Sequence, residues 1–381
     1  MELIFSVIFY ISLAITLSKC GTLSCRLGKY WSSMNQGSLW RDRYIIILIL
    51  TFTFVCAIRY RVGADCESYA MGYLQGNYDD NRGQSIEPIF MFVSSSFRAL
   101  NLPRAFFLGF WAYIEIYFLC KSIYNRRYLL PYVGLLLILG PYFLTLCNGI
   151  RQAAVGCIFV YAVAVLIDKN AILRYIILIL ICCGIHSSAA ILIFFIPIIW
   201  YNHIPNRWLS VLLILLSVIL GQVDVVGEYL GQGKDILEYL GYSSYADNYD
   251  AYLSAESTIT SYGPRRIVQL LLYLLIAWFS NDVDKYYNRD RFYRVSYLMF
   301  LIYVCATEIL FSQTILFIRP FLYFMLYVLI CSGYLLNYLK RKSKLLYIAA
   351  LIVASSYLII DNIASFHIPN EASLYKTILF R

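Results

Sequence analysis

Apolar residues in this chain come in long runs separated by short polar connections. The runs cover roughly residues 3–18, 44–58, 104–120, 129–147, 150–167, 172–184, 188–201, 208–221, 266–280, 295–312, 315–336 and 345–360. They do not alternate apolar with polar positions, as the strands of a β-barrel would. In hydrocarbon every backbone group must be satisfied internally, so runs approaching 20 residues predict helices. The pattern predicts an all-α, polytopic integral membrane protein of about 12 transmembrane helices, with roughly 10 to 13 allowed by uncertain edges. Several runs fall short of the roughly 17 residues a clean span needs, so flanking residues must contribute. The first run, Leu3 to Leu17, is preceded by Glu2 and followed by Lys19, Arg26 and Lys29. It has no small-x-small cleavage site at its end and reads as a retained span rather than a secretory leader.

Two connections are long. Within residues 59–103, Glu87-Pro88 looks like a helix start with Pro in the first turn. Ile89, Val93, Phe97 and Leu100 then share one helical face opposite Ser94, Ser95 and Arg98, which suits an amphipathic helix lying in the interface. The larger loop, 222–263, carries Tyr229, Tyr239, Tyr242, Tyr245, Tyr249, Tyr252 and Tyr262 among several acids. No internal repeat or low-complexity tract divides the chain, so residues 1–381 read as a single membrane domain.

Composition agrees with the pattern: 61% of residues are hydrophobic and 14% charged, against about 25% charged in soluble domains. The net charge of +9 reads as topology, because Lys and Arg collect on cytoplasmic connections. One alternating set of connections holds Lys19 to Arg43, Lys121 to Arg127, Lys169 and Arg174, Arg207, Lys285 to Arg294, and Lys340 to Lys344. The other set collects acids, among them Asp65, Glu67, Asp79, Asp80, Glu87, Asp224, Glu228 and Asp235. The first set is therefore assigned to the cytoplasm, and both termini fall outside if all 12 spans hold. Nucleic acid is not expected as a partner, because no basic stripe lies on a soluble domain. Most of the 11 Cys sit inside apolar runs, where they act as small hydrophobes; Cys66 lies in the first outer loop. No paired C-x-x-C predicts a zinc site, and no phosphate-cradling glycine motif predicts a nucleotide, so no cofactor and no metal is expected.

Polar breaks in the apolar runs carry the candidate chemistry. Cys147-Asn148-Gly149-Ile150-Arg151-Gln152 separates two runs on the outer side. Arg151 falls in the first turn of the next helix, where a helix N-terminus and a guanidinium together suit a phosphate. The alternative is an Arg that snorkels to head groups. Gly184-Ile185-His186-Ser187-Ser188 interrupts about 30 apolar residues, too long for one span and short for two. Broken helices beside a polar residue often mark substrate sites. His186 suits a general base, since imidazole titrates near neutral pH, or else it merely caps a tight loop. Arg319 lies inside an apolar run with Glu308 as candidate partner, and Glu115 is a similar acid in another run. Arg265 and Arg266 open a span on the outer side against the charge trend, either for an anionic ligand or by chance. Asp65 and Glu67 follow a span and could bind a metal or act as a base, though such pairs are common in solvated loops. The loop tyrosines suit sugar stacking but equally an interfacial belt.

The ordered set Gly63, Asp65, Tyr69; Glu87-Pro88; Asn148, Arg151, Gln152, Ala154; and Ile185, His186, Ser188, Ala189 resembles the EpsG-like branch of Wzy-type polysaccharide polymerases over roughly residues 1–340. The resemblance implies a bacterial inner-membrane enzyme making O-antigen, capsular or exopolysaccharide. Its substrate would be an oligosaccharide carried on undecaprenyl diphosphate, alongside membrane lipids and a flippase and chain-length regulator of the same pathway. Catalysis would involve His186, Arg151, Asp65 and Glu87. Arg151, Gln152, Asn148, Arg265, Arg266 and Arg319 would bind the diphosphate, with neither metal nor nucleotide. A glycosyltransferase using polyprenyl-phosphate sugars, a flippase for the same lipid-linked units and a polysaccharide acyltransferase are the alternative readings.

Overall fold

Every apolar run forms helix in the computed structural model, which describes residues 2–31, 39–63, 65–76, 87–223, 263–311, 318–357, 360 and 374–378. The tyrosine-rich stretch 224–262, with Asp79, Asp80 and the start of the 315–336 run, lies outside the described residues. Fifteen α-helices are present among those described. The first eight are α1 (Glu2–Trp31), α2 (Arg43–Ala57), α3 (Cys66–Gln75), α4 (Pro88–Ala99), α5 (Arg104–Ser122), α6 (Leu130–Leu139), α7 (Tyr142–Asn148) and α8 (Ile150–Lys169). The rest are α9 (Ile172–Ile185), α10 (Ile196–Trp200), α11 (Arg207–Gln222), α12 (Pro264–Tyr286), α13 (Arg291–Ile309), α14 (Met325–Lys342) and α15 (Lys344–Ser355). Stretches of 3₁₀ helix run over Tyr124–Leu129, Ser187–Phe195 and Arg319–Phe324.

Length limits how many of these cross a bilayer alone. Six helical segments are long and apolar enough: Leu3–Gly28, Arg104–Ser122, Ile150–Lys169, Pro264–Tyr286, Arg291–Ile309 and Arg319–Lys342. A seventh arises if Tyr124–Leu139 and Tyr142–Asn148, bent by 67°, are taken as one span. The other five runs form helices of 10–17 residues, shorter than the roughly 20 that a 30 Å core requires. The expected 12 spans are therefore not reached by length alone. Arg319–Lys342 is the central pillar, with 94% of its apolar window buried, as befits a helix apolar all round.

The 172–200 region shows how short helices can still cover depth. Tyr175 Oη donates to the Leu192 carbonyl at 2.7 Å, so the chain folds back on itself at His186. Its outgoing limb is α9. The returning limb begins with 3₁₀ helix over Ser187–Phe195, which rises about 2.0 Å per residue against 1.5 Å for α-helix. Both limbs return to one end of the bundle, where Arg294 Nη1 donates to the Asn202 carbonyl at 2.7 Å.

That end also gathers the basic connections. Arg126 makes paired contacts with Asp168 at 3.0 Å and Asp290 at 2.8 Å. Arg207 meets Asp282 at 3.0 Å, and Arg294 meets Asp284 at 2.9 Å. Helices start here on side-chain caps: Asp42, Asn206, Asp290 and Ser343 each accept from an amide of the following turn. The opposite end, outer by the charge pattern, holds the start of α1, the end of α2 and residues 374–378. There Tyr60 N–H donates to the Lys376 carbonyl and Ile378 N–H to the Ile58 carbonyl, both at 2.9 Å. Tyr375 Oη donates to the Val55 carbonyl at 2.9 Å, and Tyr375 N–H to Ser6 Oγ at 3.0 Å.

The Arg126 network makes a stability prediction. The guanidinium is 11% exposed, stacks 4.4 Å over the Phe292 ring and neutralises two aspartates, one of which also accepts from Tyr334 at 2.7 Å. Arg126→Ala leaves Asp168 and Asp290 without their cation and is expected to cost about 3–5 kcal/mol. Thermal unfolding of the purified protein in nonionic detergent would read this as a Tm lowered by several degrees. An unchanged Tm would show that the network carries no stability.

Candidate active site

At the outer end, one carboxylate collects donors from separate segments. Glu87 occupies the N-cap position of α4, with Pro88 at the first turn, yet its side chain makes no cap bond to its own helix. It points outward from that helix instead. Glu87 Oε2 accepts from Arg151 Nη1 at 2.6 Å. Glu87 Oε1 lies 2.8 Å from His186 Nδ1 and accepts from Ser187 N–H at 3.0 Å. An ionised carboxylate only accepts, so Nδ1 carries the hydrogen of that bond, which leaves Nε2 as the acceptor nitrogen whenever the ring is neutral. Burial would raise the Glu87 carboxyl, but hydrogen bonding from His186 and the Arg151 charge outweigh it and bring it down to about 2.

The surrounding elements are shaped to make this meeting possible. On α4, Phe90 is fully buried, stacked 5.2 Å from Trp111 and edge-on to Phe107 at 5.7 Å. Ser94 is buried beside it, whereas Leu100 is 69% exposed. Ile89, Val93 and Phe97 of the expected stripe pack against the core, but the most deeply buried line is shifted to Phe90 and Ser94 because the aromatic stack captures Phe90. A Cβ on Gly184 would come within 2.5 Å of Ile89, so glycine there lets α4 lie against the end of α9. Gly63 has φ +90°, and a Cβ there would stand 3.0 Å from the Cys147 carbonyl group. Asp65 N–H then donates to Asn148 Oδ1 at 2.7 Å.

Arg151 does not reach towards bulk solvent. Its guanidinium lies 5.4 Å from the Phe90 ring centroid and 5.9 Å from that of Tyr69, with 26% of the side chain exposed. Its Nε is buried without a hydrogen-bond partner among the described residues. Gln152, one residue on, donates its amide to the Arg319 carbonyl. Ser188 and Tyr323 share a hydrogen bond of 2.6 Å. These two contacts bring the 3₁₀ segment 319–324 against the site.

The structure thus brings together Glu87, Arg151, Gln152, His186 and the backbone of Arg319, with Asn148 and Asp65 paired at the neighbouring turn. Asp65 is exposed, and its backbone makes the contact to Asn148. Arg265 and Arg266 gather instead around the outer ends of α12 and α13. Glu308, expected opposite Arg319, pairs with Arg266 at 2.8 Å, and Arg265 lies 5.6 Å over the Tyr357 ring. Among the described residues no three His, Cys, Asp or Glu side chains gather in a way that could hold a metal ion.

One residue escaped the sequence reading. Arg59 is 2% exposed and donates to the Cys56 carbonyl at 2.9 Å and the Cys147 carbonyl at 3.3 Å, which pins the turn before Arg151. The signal for it was an Arg directly after an apolar run, on the side where basic residues are scarce. Chemically, a carboxylate-held imidazole can take a proton at Nε2, and the same carboxylate then stabilises the imidazolium. A half-buried guanidinium beside it offers donors to an anion.

Fold and site together define a multi-pass membrane protein whose candidate site lies at one end of an apolar helical bundle. Residues 42–377 match the EpsG family, and the chain belongs to it. Membership makes it a membrane protein of polysaccharide-polymerase type. No curated protein and no solved structure matches the chain.

The depressed Glu87 carboxyl gives a pH signature. Its stabilising contribution is complete above its ordinary value of 4.5 and disappears as pH falls towards about 2. At neutral pH that contribution is on the order of 3 kcal/mol. Glu87→Gln should therefore lower Tm at pH 7, with the gap to the unaltered protein closing between roughly pH 4.5 and 2. A gap of constant size across that range would remove the carboxylate from its central role.

Proposed function

We propose that this chain joins undecaprenyl-diphosphate-linked oligosaccharide repeat units into O-antigen, capsular or exopolysaccharide on the outer face of the bacterial inner membrane. The observation that carries the reading is the Glu87 carboxylate, bonded at once to Arg151 and His186 at the end opposite the basic connections. A hydroxyl at the non-reducing end of one unit attacks the anomeric carbon of the growing chain. The new glycosidic bond forms as the bond from that carbon to the diphosphate oxygen breaks. His186 Nε2 takes the hydroxyl proton, and Glu87 stabilises the imidazolium. Arg151, with its unsatisfied Nε, meets the charge gathering on the leaving lipid diphosphate. Arg319, held close through Gln152, is a further cation for that anion, and Arg265 and Arg266 serve a more distant part of the substrate. Asp65 is the second candidate for the base. The energy comes from the lipid–diphosphate linkage, so the reaction asks for no nucleotide. Partners in this reading are the lipid-linked substrate, a flippase that delivers it and a chain-length regulator.

Arg151→Ala and His186→Ala are each expected to abolish long-chain polymer while the protein still reaches the membrane, a loss of about 10² or more for a general base. Resolving surface and lipid-linked glycans on a gel from the deletion strain complemented with each variant tests this. Single capped units on the outer face support the polymerase. Units lacking one sugar would instead mark a glycosyltransferase, complete units retained on the cytoplasmic face would mark a flippase, and normal chain lengths would end the site assignment.

A further inference from the structure

A cavity of about 710 Å³ lies at the basic end of the bundle, between α1, the 3₁₀ segment before α6, and the joint of α14 with α15. It falls within the 300–1,000 Å³ range of pockets that enclose a small molecule. Four cations line it, Arg26, Arg127, Lys340 and Arg341, and no carboxylate side chain among the described residues does. Elsewhere at this end the arginines are matched: Arg126, Arg207 and Arg294 each meet an aspartate within 3.0 Å. Arg127 stacks 4.0 Å over the Tyr124 ring and faces its aspartate across a longer gap than those arginines do. Its Nη1 is buried and makes no hydrogen bond among the described residues, with Asp42 Oδ2 at 3.5 Å. That oxygen already accepts from the Ser24 hydroxyl at 2.6 Å.

The cavity also has depth and a gradient. On α1 its wall extends from Arg26 back to Ser18, eight residues, or about 12 Å along a helix. Ser18 faces the level of Gly134 on α6, one residue from Leu135 in the same wall. The mouth is therefore cationic, and the inner end is walled by Leu135 and Pro131 beside Ser18 and Thr22, whose hydroxyl is spent on the Ser18 carbonyl, with the Tyr132 ring between the two halves. A soluble anion would leave that inner half without a partner. A phosphate group carrying an apolar chain matches both halves.

We propose that this cavity binds a phosphate-bearing lipid of the inner leaflet, with its phosphate between Arg127 and the Lys340–Arg341 pair and its chain against Leu135 and Tyr132. The assignment rests on the basic end facing the cytoplasm and is independent of the polymerase reading. It makes the joint between α1, α6 and α14 sensitive to the anionic lipid content of the membrane.

The test uses the full chain purified in nonionic detergent and follows Tm during titration. Phosphatidylglycerol should raise Tm saturably, while phosphatidylcholine and inorganic diphosphate should not. The exposed cations allow a charge-removing variant that spares the core. In R26Q/K340Q/R341Q the phosphatidylglycerol concentration for half-maximal shift should rise at least tenfold. The charge-keeping K340R/R341K should retain the shift and so separates lost charge from lost fold. Equal stabilisation by phosphatidylcholine, or an unchanged titration in the triple variant, would overturn the proposal. A full shift with diphosphate alone would also overturn it, assigning the cavity to a soluble phosphate compound.

Discussion

A carboxylate inside an apolar bundle is stable only where donors surround it, and in this protein the outer half is arranged around Glu87. The side chain is 10% exposed, and an unpaired charge so placed would cost several kcal/mol. The donors that relieve it come from α8 and from the break at the end of α9, so both must arrive at the same point. The docking of Phe90 into the Trp111 and Phe107 rings holds α4 at the angle that presents its N-cap residue. Pro88 and the lack of a cap bond aim the carboxylate away from its own helix. The arrangement is thus a consequence of how the charge is accommodated, and the His186 ring is oriented by one of the bonds that make the burial tolerable.

The two ends of the bundle treat charge differently. At the basic end, arginines and aspartates meet in bidentate pairs whose role is to join connections. At the outer end one carboxylate is shared between a guanidinium and an imidazole, and Arg151 Nε has no partner among the described residues. Buried nitrogens without a hydrogen-bond partner among the described residues also occur on Arg59, Arg127 and Arg291, so what sets the outer end apart is the carboxylate shared between a guanidinium and an imidazole.

Much of this was legible in the sequence, for an identifiable reason. Polar residues interrupting long apolar runs are costly, so the breaks at Asn148–Gln152 and Gly184–Ser188 stood out without any structure. The helices followed from the runs themselves. What the sequence withheld was partnership. Glu87 lies 64 positions from Arg151 and 99 from His186, and no periodicity connects residues so far apart. The face of α4 was misjudged at Ser94 and Leu100 because aromatic stacking, a tertiary effect, outweighed amphipathic spacing. The span count could not be settled from run lengths, because five runs form helices of only 10–17 residues and the chain folds back on itself at His186. Arg59 went unnoticed because its role depends on two carbonyls, one of them 88 positions away.

Residues 375–378 close over the outer end of α2, and Tyr375 reaches the Val55 carbonyl across 320 positions of sequence. A ribosome delivers the two sides of that contact 320 residues apart. The stretch 58–60, which leads into the Gly63 turn and the Arg59 anchor, lacks these partners until α3 to α15 have been made. Assembly order is thereby written into the fold: a nascent chain halted part-way would hold Arg151 and His186 in the membrane beside an entry loop that has not been tied down.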